Sequence, residues 1–370
     1  MMDEPIPLAR PVIGEAEEQA VLEVLRSGQL SLGPRLGEFE ELFADYVGAP
    51  MASAVSSGTA GLELSLRAVG VKPGDEVVTS PLSFVASANV CVIEGATPVF
   101  ADIDPVTLTL DPQAAAAAVT GKTSAVLPVH LFGYPAAMAE LDAIGLPMVE
   151  DACEALGGRY ADGARVGSRD NPAVFGFYAN KQMTTGEGGM VTLGSQGMKE
   201  LIDSERNQGR APDMGWLAHE RLGFNFRLSD IACALGIAQL GRLDEMLAAR
   251  EQVAGWYGER LAGIDGLALP FPDRGEERRG WFVYVVQVPG DADRDEVVRR
   301  LGERGVQSKP YLPAIHLMAP YRERFGYREG QFPVCEDVAA RSIALPFFPG
   351  MEEGQVERVA AELRTALGRA

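Results

Sequence analysis

Positive charge, histidine and paired cysteine are all scarce in this 370-residue chain. Lysine and arginine together number 33 against 52 aspartates and glutamates, and the resulting net charge of -19 argues against a nucleic-acid or anionic membrane surface. The four cysteines, Cys91, Cys153, Cys233 and Cys335, lie far apart with no CxxC pair, which reads as buried thiols rather than disulfides or zinc ligands. With only His130, His219 and His316 besides, no metal site is expected. No stretch of about 18 apolar residues occurs, and the first residues, MMDEPIPLARPVIG, have neither the basic nor the apolar part of a targeting segment, so a cytoplasmic protein is expected.

What is present is enough apolar residue, 46% of the chain, to bury a sizeable interior. Short apolar strands alternate with helical spacing: Ala52 to Ser56 then Thr59 to Val69, EVVTS then a helix from about Phe84 to Glu94, PVFADI then the alanine-rich stretch after Asp111, SAVLPVH, LPMVED and AVFGFYA. Helical spacing also precedes them, with Val21, Val24 and Leu25 and then Phe39, Leu42 and Phe43 on one face. This order predicts an α/β fold, a large three-layer domain around a mostly parallel sheet, over residues 1–245. A helix over Asp230 to Leu247 closes it. Helices at Glu251 to Leu261, Arg294 to Glu303 and Gln355 to Leu367 with the strand WFVYVVQV predict a smaller α+β domain over 246–370. Before that closing helix of the large domain, the long polar and aromatic stretch from Ser204 to Asp230 is of a kind that usually carries function or covers an interface.

In parallel sheets ligands gather beyond the carboxyl ends of the strands. Asp151, His130 and Lys181 all fall on that rim. Among five lysines only Lys181 stands between an apolar strand and a glycine loop, in AVFGFYANKQMTTGEGGM; it is either a solvated strand-end lysine or an amine made nucleophilic by desolvation. The Ser57-Gly58-Thr59 junction is either a plain N-cap or a phosphate site at a helix N-terminus. A P-loop is disfavoured because the lysine precedes the glycines, and no GxGxxG opens a helix after the first strand. A phosphate-suited turn, the aromatic Phe84, a strand-end carboxylate and a strand-end lysine together meet the needs of pyridoxal phosphate.

The segments SGTAGLELSLRA, SFVASANV with GATPVFADID, VEDACEALGGRY, FYANKQMTTGEGGM, RLGFNFRLSDIACALGIAQL and YLPAIHL resemble, in order and spacing, the DegT/DnrJ/EryC1/StrS sugar aminotransferases of the aspartate-aminotransferase fold, fold type I of the pyridoxal phosphate enzymes. The resemblance covers almost the whole chain and includes members similar to perosamine synthases. It implies a Schiff base between Lys181 and pyridoxal 5'-phosphate, with Asp151 on the pyridine nitrogen and Phe84 stacked on the ring. It also implies that Gly58 and Thr59 bind the phosphate and that Asn225 reaches it from the neighbouring subunit of a homodimer. Two positions depart from the commoner pattern. Glu154 stands where His or Gln is frequent near the cofactor's 3'-oxygen, and a carboxylate there must share a proton or contact substrate. Gly176 replaces a frequent serine that gives a hydroxyl to the phosphate.

The activity so implied is transfer of an amino group, from glutamate by analogy, to the keto group of a nucleotide-linked 6-deoxy sugar in deoxyaminosugar or cell-surface polysaccharide biosynthesis. A keto-cyclitol or aminoshikimate-type substrate, or a non-catalytic cofactor-binding regulator, are the alternatives. His316 and His130 are expected on the sugar or nucleotide side, each with a structural histidine as its alternative. Trp216, His219 and Arg221 are candidates for covering the site.

Overall fold

The computed structural model describes residues 4–211 and 218–369. Among the described residues ten strands run β1 (Met51–Val55), β2 (Glu76–Thr79), β3 (Thr97–Phe100), β4 (Thr123–Leu127), β5 (Glu150–Asp151), β6 (Ala173–Gly176), β7 (Gly189–Leu193), β8 (Tyr284–Gln287), β9 (Lys309–Pro310) and β10 (Ser342–Leu345). The parallel sheet β3-β2-β4 meets the sheet β1-β7-β6-β5 through single parallel bridges at Val126–Met148 and Val129–Asp151. The larger sheet is therefore mixed. β7 pairs antiparallel with both β6 and β1. Its reversal follows from residues 177–188, which join it to β6 without a helix, whereas a parallel return needs a longer crossover.

Helices cover both faces. The helix Pro34–Val47 lies on β6 through an aromatic cluster in which Phe43 stands 5.2 Å from Phe175 and Phe39 5.6 Å from Phe177. Its N-terminus is capped from far away: the buried Asp230 carboxylate accepts the N–H groups of Gly33 and Arg35 at 2.8 and 3.0 Å. A separate apolar cluster gathers Ile6, Tyr257, Tyr284, Val286, Phe347 and Leu363 beneath the antiparallel sheet β8-β10-β9.

Several sequence expectations shift. β6 ends at Gly176 rather than Ala179, so Lys181 lies within the turn and not at the strand's last residue. The helix expected over Asp230 to Leu247 breaks after Leu240 at Gly241-Arg242, and a new helix runs unbroken over Leu243–Leu261. No breaker separates Leu247 from Glu251, which is why the two expected helices merge there. Leu25 and Leu42, on the apolar stripes of their helices, are 49% and 41% exposed, while Ala115 in the alanine-rich stretch is fully buried.

Candidate active site

β1 delivers the chain to Ser57, whose hydroxyl accepts the Ala60 N–H at 3.1 Å and caps the helix Gly58–Ala68. The cap leaves the first two N–H groups of the turn, those of Gly58 and Thr59, without an acceptor among the described residues. Two glycines let other elements close on this turn. A Cβ on Gly58 would lie 2.6 Å from the Cys153 sulfur, and one on Gly189 would lie 2.8 Å from the Ser57 carbonyl. Gly176 faces Cys153 as well, at 3.4 Å from its sulfur to a notional Cβ, so the thiol takes part of the room a larger residue 176 would fill.

β5 sends its two carboxylates to opposite faces, as the period of a strand requires. Glu150 points into the core, where it accepts the Tyr160 hydroxyl at 2.5 Å and pairs with His130 at 2.9 Å. Asp151 points to the rim and is 6% exposed. Its Oδ2 accepts the Ser87 hydroxyl at 2.7 Å and its Oδ1 the Cys153 N–H at 3.1 Å. Ser87 in turn has its N–H on the Phe84 carbonyl at 3.3 Å, which ties Asp151 to the residue expected on the ring face. The Phe84 ring is 60% exposed, unusual for an aromatic beside a buried carboxylate, and so offers an open apolar face. Burial, with Asp151 adding to it, holds the Cys153 thiol well above its ordinary range, so it stays protonated.

Lys181 sits in a turn bonded into itself by Phe177 N–H to Gly188 C=O at 2.9 Å and Thr185 N–H to Phe177 C=O at 3.0 Å. Its amine is 3.7 Å from Glu154 and 3.9 Å from the centre of the Phe282 ring. Glu154 is 5% exposed, and its other oxygen accepts the Phe132 N–H at 3.0 Å. Burial pushes its carboxyl above the usual carboxylate range, with Lys181 and the Phe132 N–H opposing. The lysine's neighbour Gln182 is buried and donates to the carbonyls of Glu154 and Gly280 at 2.6 and 2.9 Å.

Phe84, Asp151 and Gly58 are thus joined through Ser87 and Cys153, and Lys181 with Glu154 forms a second pair, reached one residue beyond Cys153 along the chain. The two histidines join neither. His130 is fully buried, with one ring nitrogen on Glu150 and the other accepting the Ala136 N–H at 2.9 Å, so neither nitrogen faces a ligand. His316 is equally buried, its Nε2 on Glu336 at 3.0 Å and its ring edge-on to Phe332. Being at a strand's end did not decide which way the side chain turned. Asn225 is exposed, on a segment that pairs with 206–208 and whose Phe226 carbonyl accepts the Ser56 N–H at 2.8 Å, next to the Ser57 turn. Of the three candidates for covering the site, His219 is exposed and Arg221 half-buried, and Trp216 lies outside the described residues. Sequence reasoning passed over Ser87, Gln182, Arg250 and Phe282. Only Ser87, one turn beyond Phe84 in SFVAS, left a local signal.

Residues 11–364 match the profile of the DegT/DnrJ/EryC1/StrS aminotransferase family. The spore coat polysaccharide biosynthesis protein SpsC of Bacillus subtilis is 38% identical over 97% of this chain and 96% of its own length. GDP-perosamine synthase of Caulobacter vibrioides is 36% identical over 98% of both. Among solved structures, S. venezuelae DesV superposes with a TM-score of 0.92 at 33% identity, covering 99% of this chain and all of its own.

Proposed function

The chain belongs to the DegT/DnrJ/EryC1/StrS aminotransferase family, and from that premise we propose that it transfers an amino group, with glutamate as donor, to the keto group of a nucleotide-linked 6-deoxy sugar. It works as a pyridoxal phosphate-dependent enzyme, as the family does. The spore coat polysaccharide and perosamine relatives favour a product destined for a surface polysaccharide. No helix among the described residues is long and apolar enough to cross a membrane, which agrees with the cytoplasmic setting we assign.

The observation that carries this reading is the linked set Phe84, Ser87, Asp151, Cys153 and Gly58, with Lys181 beside Glu154. Its chemistry matches what pyridoxal phosphate needs. Gly58 and Thr59 would hold the phosphate with their open N–H groups, helped by the helix dipole. Phe84 would cover one ring face, and Asp151, itself fixed by two donors, would keep the ring nitrogen protonated. When bound, the group supplies an aldehyde that exchanges amines and a cationic ring that accepts the electron pair released at the substrate carbon.

The residues do the rest. The Lys181 amine would take the proton from the donor's Cα, hold it at Nζ and deliver it to a different carbon from the one it left, and would run the same path backward for the acceptor sugar. Glu154, kept toward its protonated form by burial, stands 3.7 Å from that amine, outside hydrogen-bond reach but close enough for its charge state to act on the amine. The packed turn around Lys181 limits water at Nζ, whose side chain is 15% exposed. We assign the active unit as a homodimer in which Asn225 serves the neighbouring site; the exposed Leu222, Leu25 and Leu42 are apolar surface for a second copy to cover. We also divide the chain near residue 245, a division supported by the separate apolar cluster drawn mainly from residues 253–366.

The test is borohydride reduction of the protein with pyridoxal phosphate, followed by peptide mapping. The label is expected on the peptide holding Lys181, and a label elsewhere or none defeats the assignment. Release of 2-oxoglutarate with a panel of keto sugar nucleotides and keto-inositols then separates the sugar reading from the cyclitol one.

A further inference from the structure

Arg250, on the helix Leu243–Leu261, is 3% exposed and forms no ion pair among the described residues. A buried guanidinium without a carboxylate is costly, and its surroundings ought to show what it is kept for. Its two terminal nitrogens donate, each at 3.0 Å, to the carbonyls of Lys181 and Phe282. Those residues also meet through their side chains, because the Lys181 amine lies over the Phe282 ring at 3.9 Å. The contacts close a loop: guanidinium to the lysine's carbonyl, lysine amine to the phenyl face, phenylalanine carbonyl back to the guanidinium. The planar fork of arginine can span two carbonyls at once, which a lysine cannot do.

The neighbouring residues repeat the arrangement. Gln182 binds the Gly280 carbonyl, Gly280 N–H binds the Gly133 carbonyl at 2.9 Å, and Arg279 reaches the Phe132 carbonyl at 3.3 Å. Phe132 N–H is the group that holds Glu154. Residues 279–282 therefore form a strap behind both charged groups of the site, fixing the lysine from one side and the glutamate from the other.

Resting on the functional reading of Lys181 given above, we propose that Arg250 and Phe282 position its amine: Arg250 sets the backbone from which the side chain springs, and the Phe282 face holds the free ammonium whenever the amine is not covalently engaged. The attraction of an ammonium for a phenyl face favours the charged amine. The titratable groups around that amine are Glu154, Asp151 and the Cys153 thiol, with the Arg250 guanidinium at its carbonyl.

With only five lysines in the chain, reductive methylation with 13C-formaldehyde in the cofactor-free protein gives a set of dimethylamine signals small enough to resolve. The Lys181 signal is the one missing in Lys181→Arg. Phe282→Leu keeps the apolar volume and removes the ring face; its Lys181 signal should titrate about half a unit to one unit lower than wild type, and Phe282→Tyr should restore it. Arg250→Lys keeps a charge but cannot bridge both carbonyls, and should slow borohydride-trapped capture of pyridoxal phosphate at Lys181 about tenfold while Phe282→Tyr captures normally. Should Arg250→Lys fail to fold, the Phe282 pair decides alone. A Lys181 titration unmoved by Phe282→Leu overturns the inference. Wild-type protein that traps no pyridoxal phosphate on Lys181 defeats the functional reading instead, and the titration still judges this one.

Discussion

Replacing Glu154 by glutamine removes one charge and keeps the shape, and the outcome depends on which of two opposed effects is larger. At the 3.7 Å separation from Lys181, the attraction is about 4.5 kcal/mol with an effective dielectric of 20. Taking the two ions out of water costs several kcal/mol each, roughly. Because the carboxyl is pushed above its ordinary range, with burial the foremost cause, desolvation together with the nearby Asp151 charge exceeds the Lys181 attraction plus the Phe132 hydrogen bond. A carboxyl with a raised folded-state pKa favours the fold fully below the ordinary carboxylate range, and that contribution drains away as the pH climbs through the raised value. Glu154→Gln has no such dependence, and its amide oxygen still accepts the Phe132 N–H. The variant should therefore gain on wild type as pH rises, by about 1.4 kcal/mol for each pH unit in which the folded and unfolded carboxyls differ by a whole proton. Urea unfolding of both proteins from about pH 4 to 8, a window that opens below the ordinary carboxylate value where the difference begins, reads the difference. A variant that is less stable than wild type by a constant amount across that range would refute the reasoning, since the ion pair would then outweigh its burial.

Three further outcomes follow from the site. Gly58→Ala should cost about 1 to 3 kcal/mol and weaken cofactor retention, because the new methyl meets the Cys153 sulfur at 2.6 Å. Adding Cys153→Ala should recover most of that loss in a thermal melt, and purely additive effects would show the two do not touch. His130→Leu should lower stability by about 2 to 3 kcal/mol, because it orphans the Ala136 N–H and leaves the buried Glu150 with the Tyr160 hydroxyl as its remaining partner, with the KM for the sugar unchanged; a raised KM in a stable protein would return the histidine to the substrate side. Co-expressing Lys181→Ala with Asn225→Ala, each inactive alone, should restore about a quarter of wild-type activity, since only mixed dimers hold one intact site. No restoration would mean that Asn225 serves its own chain.

The parts of this molecule that were readable in its sequence are those whose signals are local. Strand-turn-helix spacing found the Ser57 turn, and the rim position of VED found Asp151. Periodicity failed where apolar residues are not buried: Leu25 and Leu42 fit a helical stripe and yet face outward. The rim rule told where His130 lies and not which way it turns, because the geometry after β4 rotates it onto Glu150. Arg250, Phe282 and Gln182 were invisible for a different reason. Their bonds join residues 69, 32 and 98 positions apart, and no spacing within one element encodes such pairs.

The turn that carries Lys181 springs from two adjacent strands of the larger sheet and returns into it, so it has little freedom to travel. The strap behind it leads directly into β8, in the other sheet. A displacement of the antiparallel sheet β8-β10-β9 against the larger one would therefore reach the nucleophile through one phenyl ring and one guanidinium.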